Sequence, residues 1–235
     1  MYDEIEILYE DEDLIAVNKP PGLLMHRSRL SEDTVFLLQK LRMQLGYRIY
    51  TTHRLDRATS GVVVFGKNEH SAAAFNQLFA DHKVEKKYLA ILRGWIPDQG
   101  EIDHVLADPE SKQTLHKSAL TRYTCLSRSE IAEPIGLRYP TARFSLALAE
   151  PSTGRRHQIR KHFAHLRHPV IGDKKHGDVK HNSYFRDHFG LTRMFLHAAE
   201  LNFRHPSSGI QMNIKAPFDT AFAEGLKITG LTLPD

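Results

Sequence analysis

The order of apolar and polar positions divides the chain into short strands and a few helices. "ARFSLALAEP" (142–151) alternates with period two, as a half-buried strand does. "IEILYEDEDLIAVNKPPG" (5–22) holds two shorter strands around an acidic turn and stops at Pro20-Pro21-Gly22. "DTVFLLQKLRMQLG" (33–46) carries apolar residues at helical spacing, with Gly46 as a C-terminal cap. A strand "RIYTTHRL" (48–55), a loop "DRATSG" and a strand "VVVFGK" follow, and Asn68 caps a helix over "EHSAAAFNQLFADH". "EKKYLAILRGWI" (85–96) is rich in β-formers, and "LTRYTCL" (120–126) is a strand in the weakly patterned section 98–140. Loops are expected around "DPESKQTLHK" and "AEPIGLRYPT".

From 155 to 168 the spacing predicts a helix with an apolar stripe of Ile159, Phe163 and Leu166. Arg156, Arg160 and Arg167 lie on a neighbouring face. "RMFLHAAELNFRHP" and "IQMNIKAP" form a strand pair joined at Ser207-Ser208-Gly209, and a last helix runs from about Phe218 to Lys227. The order mixes strands with scattered helices, and hairpins are frequent. This favours an α+β fold with a mixed, mainly antiparallel sheet over a doubly wound parallel one. No long Pro/Gly/Ser linker interrupts the pattern, so one domain over 1–235 is expected.

Composition changes little. The 235 residues are 41% hydrophobic and 26% charged, with a net charge of +4. The distribution matters more: Gly154–Pro169 contains five Arg or Lys, four His and no acid, whereas the first thirteen residues are acidic. A polyanion would meet the later region first. The single cysteine, Cys125, excludes an intramolecular disulfide and suits a reducing cytoplasm. No apolar run reaches the ~18–20 residues of a membrane span, and the N-terminus does not read as a signal peptide.

The candidate chemistry centres on "HRLDRATSG" (53–61), where Asp56 lies between Arg54 and Arg57. Asp56 is either a turn aspartate bonding nearby amides or a carboxylate kept ionised by guanidinium groups, able to act as base or nucleophile. The run Arg155–His168 is either a solvated amphipathic helix or a phosphate-contacting element. Tyr88 is either a core aromatic or a platform for a base. The crowded histidines lack HExxH spacing and accompanying acids, which disfavours a metal. No GxGxxG, Walker or GxSxG pattern occurs, so no nucleotide cofactor or hydrolase elbow is expected.

Together, "VNKPPG" (17–22), "HRLDRATSG", "KKYLAILRG" (86–94), "GRRHQIRKH" (154–162) and "FLHAAELNFRHP" (195–206) resemble, in order, the motifs of the RluA-type RNA pseudouridine synthases. "NKPPGLLMHRS", "RYPTARFSL" and "VIGDKKHGD" resemble a branch acting on the uridine at position 65 of tRNA. A ribosomal RNA synthase of the same family, or a catalytically silent RNA-binding protein on the same fold, remains as an alternative. The resemblance implies an α+β domain with a central sheet, a cleft, and no N-terminal S4 module. It makes Asp56 the essential aspartate and Arg54 the residue that fills the gap left by a flipped nucleotide. Tyr88 becomes the stacking aromatic, Arg160 the partner of the aspartate, and Ile159 and Leu196 the apolar contacts around the base. It implies no cofactor and no metal, tRNA as partner, and a cytoplasmic monomer without an obligatory protein partner or a membrane.

Overall fold

The computed structural model describes residues 4–26, 35–107, 116–136 and 139–234. In chain order the elements are β1 (Ile7–Glu10), β2 (Leu14–Lys19), α1 (Leu37–Leu45), β3 (Tyr50–Thr51), β4 (Ser60–Gly66), α2 (Glu69–Ala80) and β5 (Glu85–Arg93). They continue with β6 (Gln99–Asp103), β7 (Leu106–Ala107), β8 (His116–Lys117), β9 (Leu120–Ile131), β10 (Ala142–Pro151), α3 (Gln158–His165) and α4 (Val179–Phe189). β11 (Leu196–Arg204), β12 (Gln211–Lys215) and α5 (Thr220–Thr229) complete the chain. The fold is α+β, as the sequence pattern indicates. Among the described residues no helix is long and apolar enough to cross a membrane.

Contacts divide the chain into two compact units, Met1–Lys86 with Ala198–Phe218, and Lys87–His197 with Asp219–Asp235. The divisions fall inside β5 and β11 and at the start of α5, so no linker marks them.

In the first unit β1, β2 and β4 pair antiparallel, β3 pairs with the end of β4, and β11 pairs with β12. Asp11 builds the acidic turn between β1 and β2 by accepting from the amides of Asp13 and Leu14 at 2.8 and 2.7 Å. Leu14, Ala16, Val62, Val64, Phe75, Phe203 and Ile214 form one buried cluster. Phe75 meets Phe203 edge-on at 4.7 Å, and each large side chain buried there contributes about 1.5–3 kcal/mol. Asn68 caps α2 as expected, accepting from the Ser71 amide in a reciprocal capping box. α1 begins only at Leu37, because Phe36 is extended and bridges to Leu24; Asp33 and Thr34 lie outside the described residues. Gly61 has φ +111°, and a Cβ there would meet the Ala198 carbonyl oxygen at 2.1 Å, so the position requires glycine.

In the second unit β5, β10, β9 and β6 pair antiparallel in that order. β10 occupies the ten residues that its alternation predicts. β9 is longer than expected and runs on to Ile131. Most of the loop expected at "DPESKQTLHK" lies outside the described residues, and His116–Lys117 pairs with β7. The histidine-rich stretch 176–188 is mostly α4, capped by Asp178 and terminated by Gly190. Its Phe185 packs between Phe144 and Phe195.

Candidate active site

Asp56 sits on a loop of the first unit that is tied down on both sides. The expected strand 48–55 stops after Tyr50 and Thr51, which pair with Gly66 and Phe65. The next position on β4, Val64, is then held by side chains. Thr52 Oγ1 donates to the Val64 carbonyl at 2.6 Å, and the Val64 amide donates to His53 Nε2 at 2.9 Å. Beyond the loop's tip, the Thr59 amide closes a turn on the Asp56 carbonyl at 3.1 Å.

"VNKPPG" supplies the second tie. Lys19 is fully buried. Its ammonium donates to the carbonyls of Pro20, Arg57 and Thr59 at 3.0, 3.0 and 2.8 Å, which satisfies a charge that would otherwise be costly to bury. The Gly22 amide also donates to the Arg57 carbonyl, and Arg57 Nε donates to the Gly22 carbonyl at 3.0 Å. Arg57, given no role from sequence, thus clamps the loop to the end of β2. Arg54 is exposed and Asp56 half-buried.

The second unit carries Tyr88, Ile159, Arg160 and Leu196. α3 starts later than its periodicity suggests. His157 is left-handed (φ 56°), and Gln158 fastens the first turn. Gln158 Nε2 donates to the Leu120 carbonyl and to Thr121 Oγ1, while its Oε1 accepts from Thr153 Oγ1 and the Arg155 amide. Arg155 and Arg156 therefore precede the helix, and Arg156 is exposed.

Ile159 is buried as expected. Arg160, read from spacing as lying beside the apolar stripe, is 7% exposed, and its fork grips Asp173, itself 1% exposed. Nε reaches Oδ2 and Nη2 reaches Oδ1, both at 2.7 Å, a bidentate pair. Asp173 Oδ1 also accepts from the amides of Lys175 and His176. Burial alone pushes the Asp173 carboxyl up, but the hydrogen bonds and charge of Arg160 with those two amides outweigh it, leaving the group below its usual range.

Tyr88 is half-buried on β5, opposite Ala149 of β10. Leu196 is 3% exposed at the start of β11. The Ile91 amide donates to the Phe195 carbonyl at 3.0 Å, which sets β5 beside that start.

The crowded histidines resolve into ring contacts. His157 Nδ1 lies 3.0 Å from His176 Nε2, His104 stacks on His165 at 3.9 Å, and His162 Nδ1 bonds Thr121 Oγ1 at 2.9 Å. Among the described residues no group of three or more His, Cys, Asp or Glu is placed to hold a metal ion.

Several histidines are held as neutral rings, His162 fully buried and His53, His176 and His181 half-buried. Burial, helped by the Lys86 ammonium, pushes His53 down to about 3. Burial likewise lowers His162, His176 and His181. The unfolded chain binds protons at these positions below about pH 6.5, whereas the folded chain does so only at lower pH. Stability is therefore full above that pH and falls on acidification. For His53 alone the loss between pH 7 and 5 is at most about 2 kcal/mol, since the ring is half-buried. Urea unfolding at the two pH values checks this: His53→Gln loses less on acidification than wild type, and equal losses contradict the assignment.

Five residues that position these groups had no role from sequence: Lys19, His53, Arg57, Gln158 and Asp173. All lie inside the quoted motifs. What makes each of them work is a partner remote in sequence or a backbone carbonyl or amide.

Residues 13–165 match the family described as RNA pseudouridylate synthase. The chain is 44% identical over 230 residues to tRNA pseudouridine synthase C of Vibrio parahaemolyticus serotype O3:K6, covering 94% of this chain and 93% of that protein. It is 43% identical to tRNA pseudouridine synthase C of Salmonella typhimurium, covering 98% and 93%. Among solved structures, human RNA pseudouridylate synthase domain containing 4 aligns with a TM-score of 0.74 at 25% identity, covering 98% and 95%. Human RNA pseudouridylate synthase domain containing 1 aligns with a TM-score of 0.72 at 26% identity, covering 98% and 97%.

Proposed function

The chain belongs to the RNA pseudouridylate synthase family, and from that premise we propose that it isomerises a uridine of tRNA, at position 65, with Asp56 as the catalytic carboxylate. The observation that carries the reading is Asp56 itself. It stands in the "HRLDRATSG" motif on a loop whose flanks are fixed by Lys19, Arg57 and His53. Such anchoring is what a reacting group needs, because misplacement by about 1 Å can reduce a rate by 10²-fold. The tRNA assignment rests on the relatives called tRNA pseudouridine synthase C.

The reaction breaks the N1–C1′ bond, turns the uracil and joins C5 to C1′. The C5 proton leaves and N1 gains one, so no atoms or electrons are gained or lost overall. Asp56 either attacks C1′ or removes the 2′ proton, and both routes use its ionised form. The nucleotide must first leave the RNA stack, at a few kcal/mol. Tyr88 stacks on the turned-out base, Ile159 and Leu196 give it apolar walls, and Arg54 occupies the gap it leaves. Arg160 partners the aspartate, and Arg155, Arg156 and Arg167 meet phosphates. We read the chain as a single catalytic domain, a cytoplasmic monomer.

Tyr88→Ala is expected to lower kcat/KM by about 10- to 100-fold, the scale of one base–aromatic stack. Tyr88→Phe keeps the stack and stays near wild type. Unchanged kcat/KM in Tyr88→Ala removes the platform role. The position is tested by carbodiimide treatment and primer extension on a tRNA transcript incubated with the enzyme. A stop one nucleotide 3′ of uridine 65 is expected, and a modified uridine elsewhere, or in ribosomal RNA only, contradicts the assignment.

A further inference from the structure

We infer that His53 is a positioning residue for Asp56: its ring stands in for a β3 backbone partner of Val64 on β4 and so lets the chain leave the sheet before the carboxylate. The inference rests on the reading of Asp56 as catalytic.

The register makes the case. Tyr50 and Thr51 pair with Gly66 and Phe65, so a continued strand would bring Thr52 opposite Val64. Instead the Val64 carbonyl is taken by Thr52 Oγ1 and its amide by His53 Nε2. Both polar groups of Val64 are thus satisfied without a third residue of β3. The backbone beyond Thr51 is released from the ladder and turns at Asp56–Thr59. A strand continued through Leu55 would hold Asp56 at the sheet, with alternate side chains on opposite faces.

The ring is itself fixed. It stacks on Phe79 with centroids 4.7 Å apart and planes at 29°, and Phe75 lies at 6.5 Å. Only a neutral imidazole has a lone pair on Nε2 to accept from an amide, so His53 carries its proton on Nδ1. Asp56 then lies between two fixed points, His53 before it and Arg57, held by Lys19 and Gly22, after it. No short-range pattern reveals this. The histidine is legible only as one letter of a motif.

Two substitutions separate the ring's parts. His53→Phe keeps the stack and removes the acceptor. His53→Gln keeps an acceptor, Oε1, and removes the ring. Tritium release from 5-³H-uridine tRNA is measured below the melting temperature of each protein, with Asp56→Asn alongside. The expected result for His53→Phe is a kcat reduced about 10- to 100-fold with KM for the tRNA unchanged. His53→Gln recovers most of the rate. Nitrogen-15 spectra of the wild-type ring at pH 7 are expected to show the Nδ1–H tautomer. Wild-type kcat in His53→Phe overturns the inference, as does equal loss in both variants or an Nε2–H tautomer. If wild type releases nothing from tRNA, the tRNA assignment fails; if Asp56→Asn releases label as wild type does, the catalytic reading of Asp56 fails and this inference falls with it. Active wild type beside fully active His53→Phe overturns the role of His53 alone.

Discussion

Asp56→Asn is expected to abolish pseudouridine formation while tRNA binding survives. Asparagine nearly matches the shape and keeps an acceptor oxygen, so the turn closed by Thr59 and the clamp of Lys19 on the Arg57 and Thr59 carbonyls remain, since both use backbone atoms. What is lost is a carboxylate able to take a proton or form a bond at C1′. Removing a positioned acid–base group lowers rates by roughly 10²–10⁴-fold, and a lost nucleophile by more. Filter binding and tritium release on the same preparation check both halves. Substantial turnover by Asp56→Asn removes Asp56 from the mechanism. Loss of binding together with activity shows that the substitution damaged the loop.

The second large effect is on stability. Asp173→Ala leaves the buried Arg160 guanidinium without its bidentate partner and strips acceptors from the Lys175 and His176 amides. Breaking a buried pair from one side costs about 3–5 kcal/mol, because the remaining charge loses hydrogen bonds that offset its desolvation. Urea unfolding of Asp173→Ala, Arg160→Met and the double variant measures this. The expected outcome is a double variant much less destabilised than the sum of the singles. A loss below about 1 kcal/mol in Asp173→Ala would place the pair among weak surface bridges. On the proposed mechanism, activity also falls in Asp173→Ala, since the fork of Arg160 is no longer held.

These residues mark how far the sequence could be read. Local patterns carry their own signals: alternation placed β10, Asn68 marked the start of α2, and Gly46 and the Ser207–Gly209 turn marked ends and joins. The misreadings arise where one side chain overrides a local pattern. Residues 52–55 have strand composition, yet Thr52 and His53 spend their side chains on Val64 and end the strand. Arg160 has the spacing of a face beside the apolar stripe, and Asp173, thirteen positions later, makes its burial favourable. Periodicity treats an arginine as polar and assigns it to solvent; it has no access to a partner brought in by a loop. The late start of α3 has the same origin, since Gln158 takes its contacts from β9 and the 153–155 loop. Asp56 was legible because its motif is compact. Lys19 and Asp173 stood inside quoted motifs, but their work is done through backbone carbonyls and a remote guanidinium that the letters do not show.

The most direct test of the account is tritium release from a tRNA transcript carrying 5-³H-uridine, with wild type and Asp56→Asn in parallel. Joining C5 to C1′ expels the C5 hydrogen, so each product formed releases one label. The account predicts release by wild type and none by Asp56→Asn, with both proteins binding the transcript. Retention of the label by wild type, or equal release by both proteins, contradicts it.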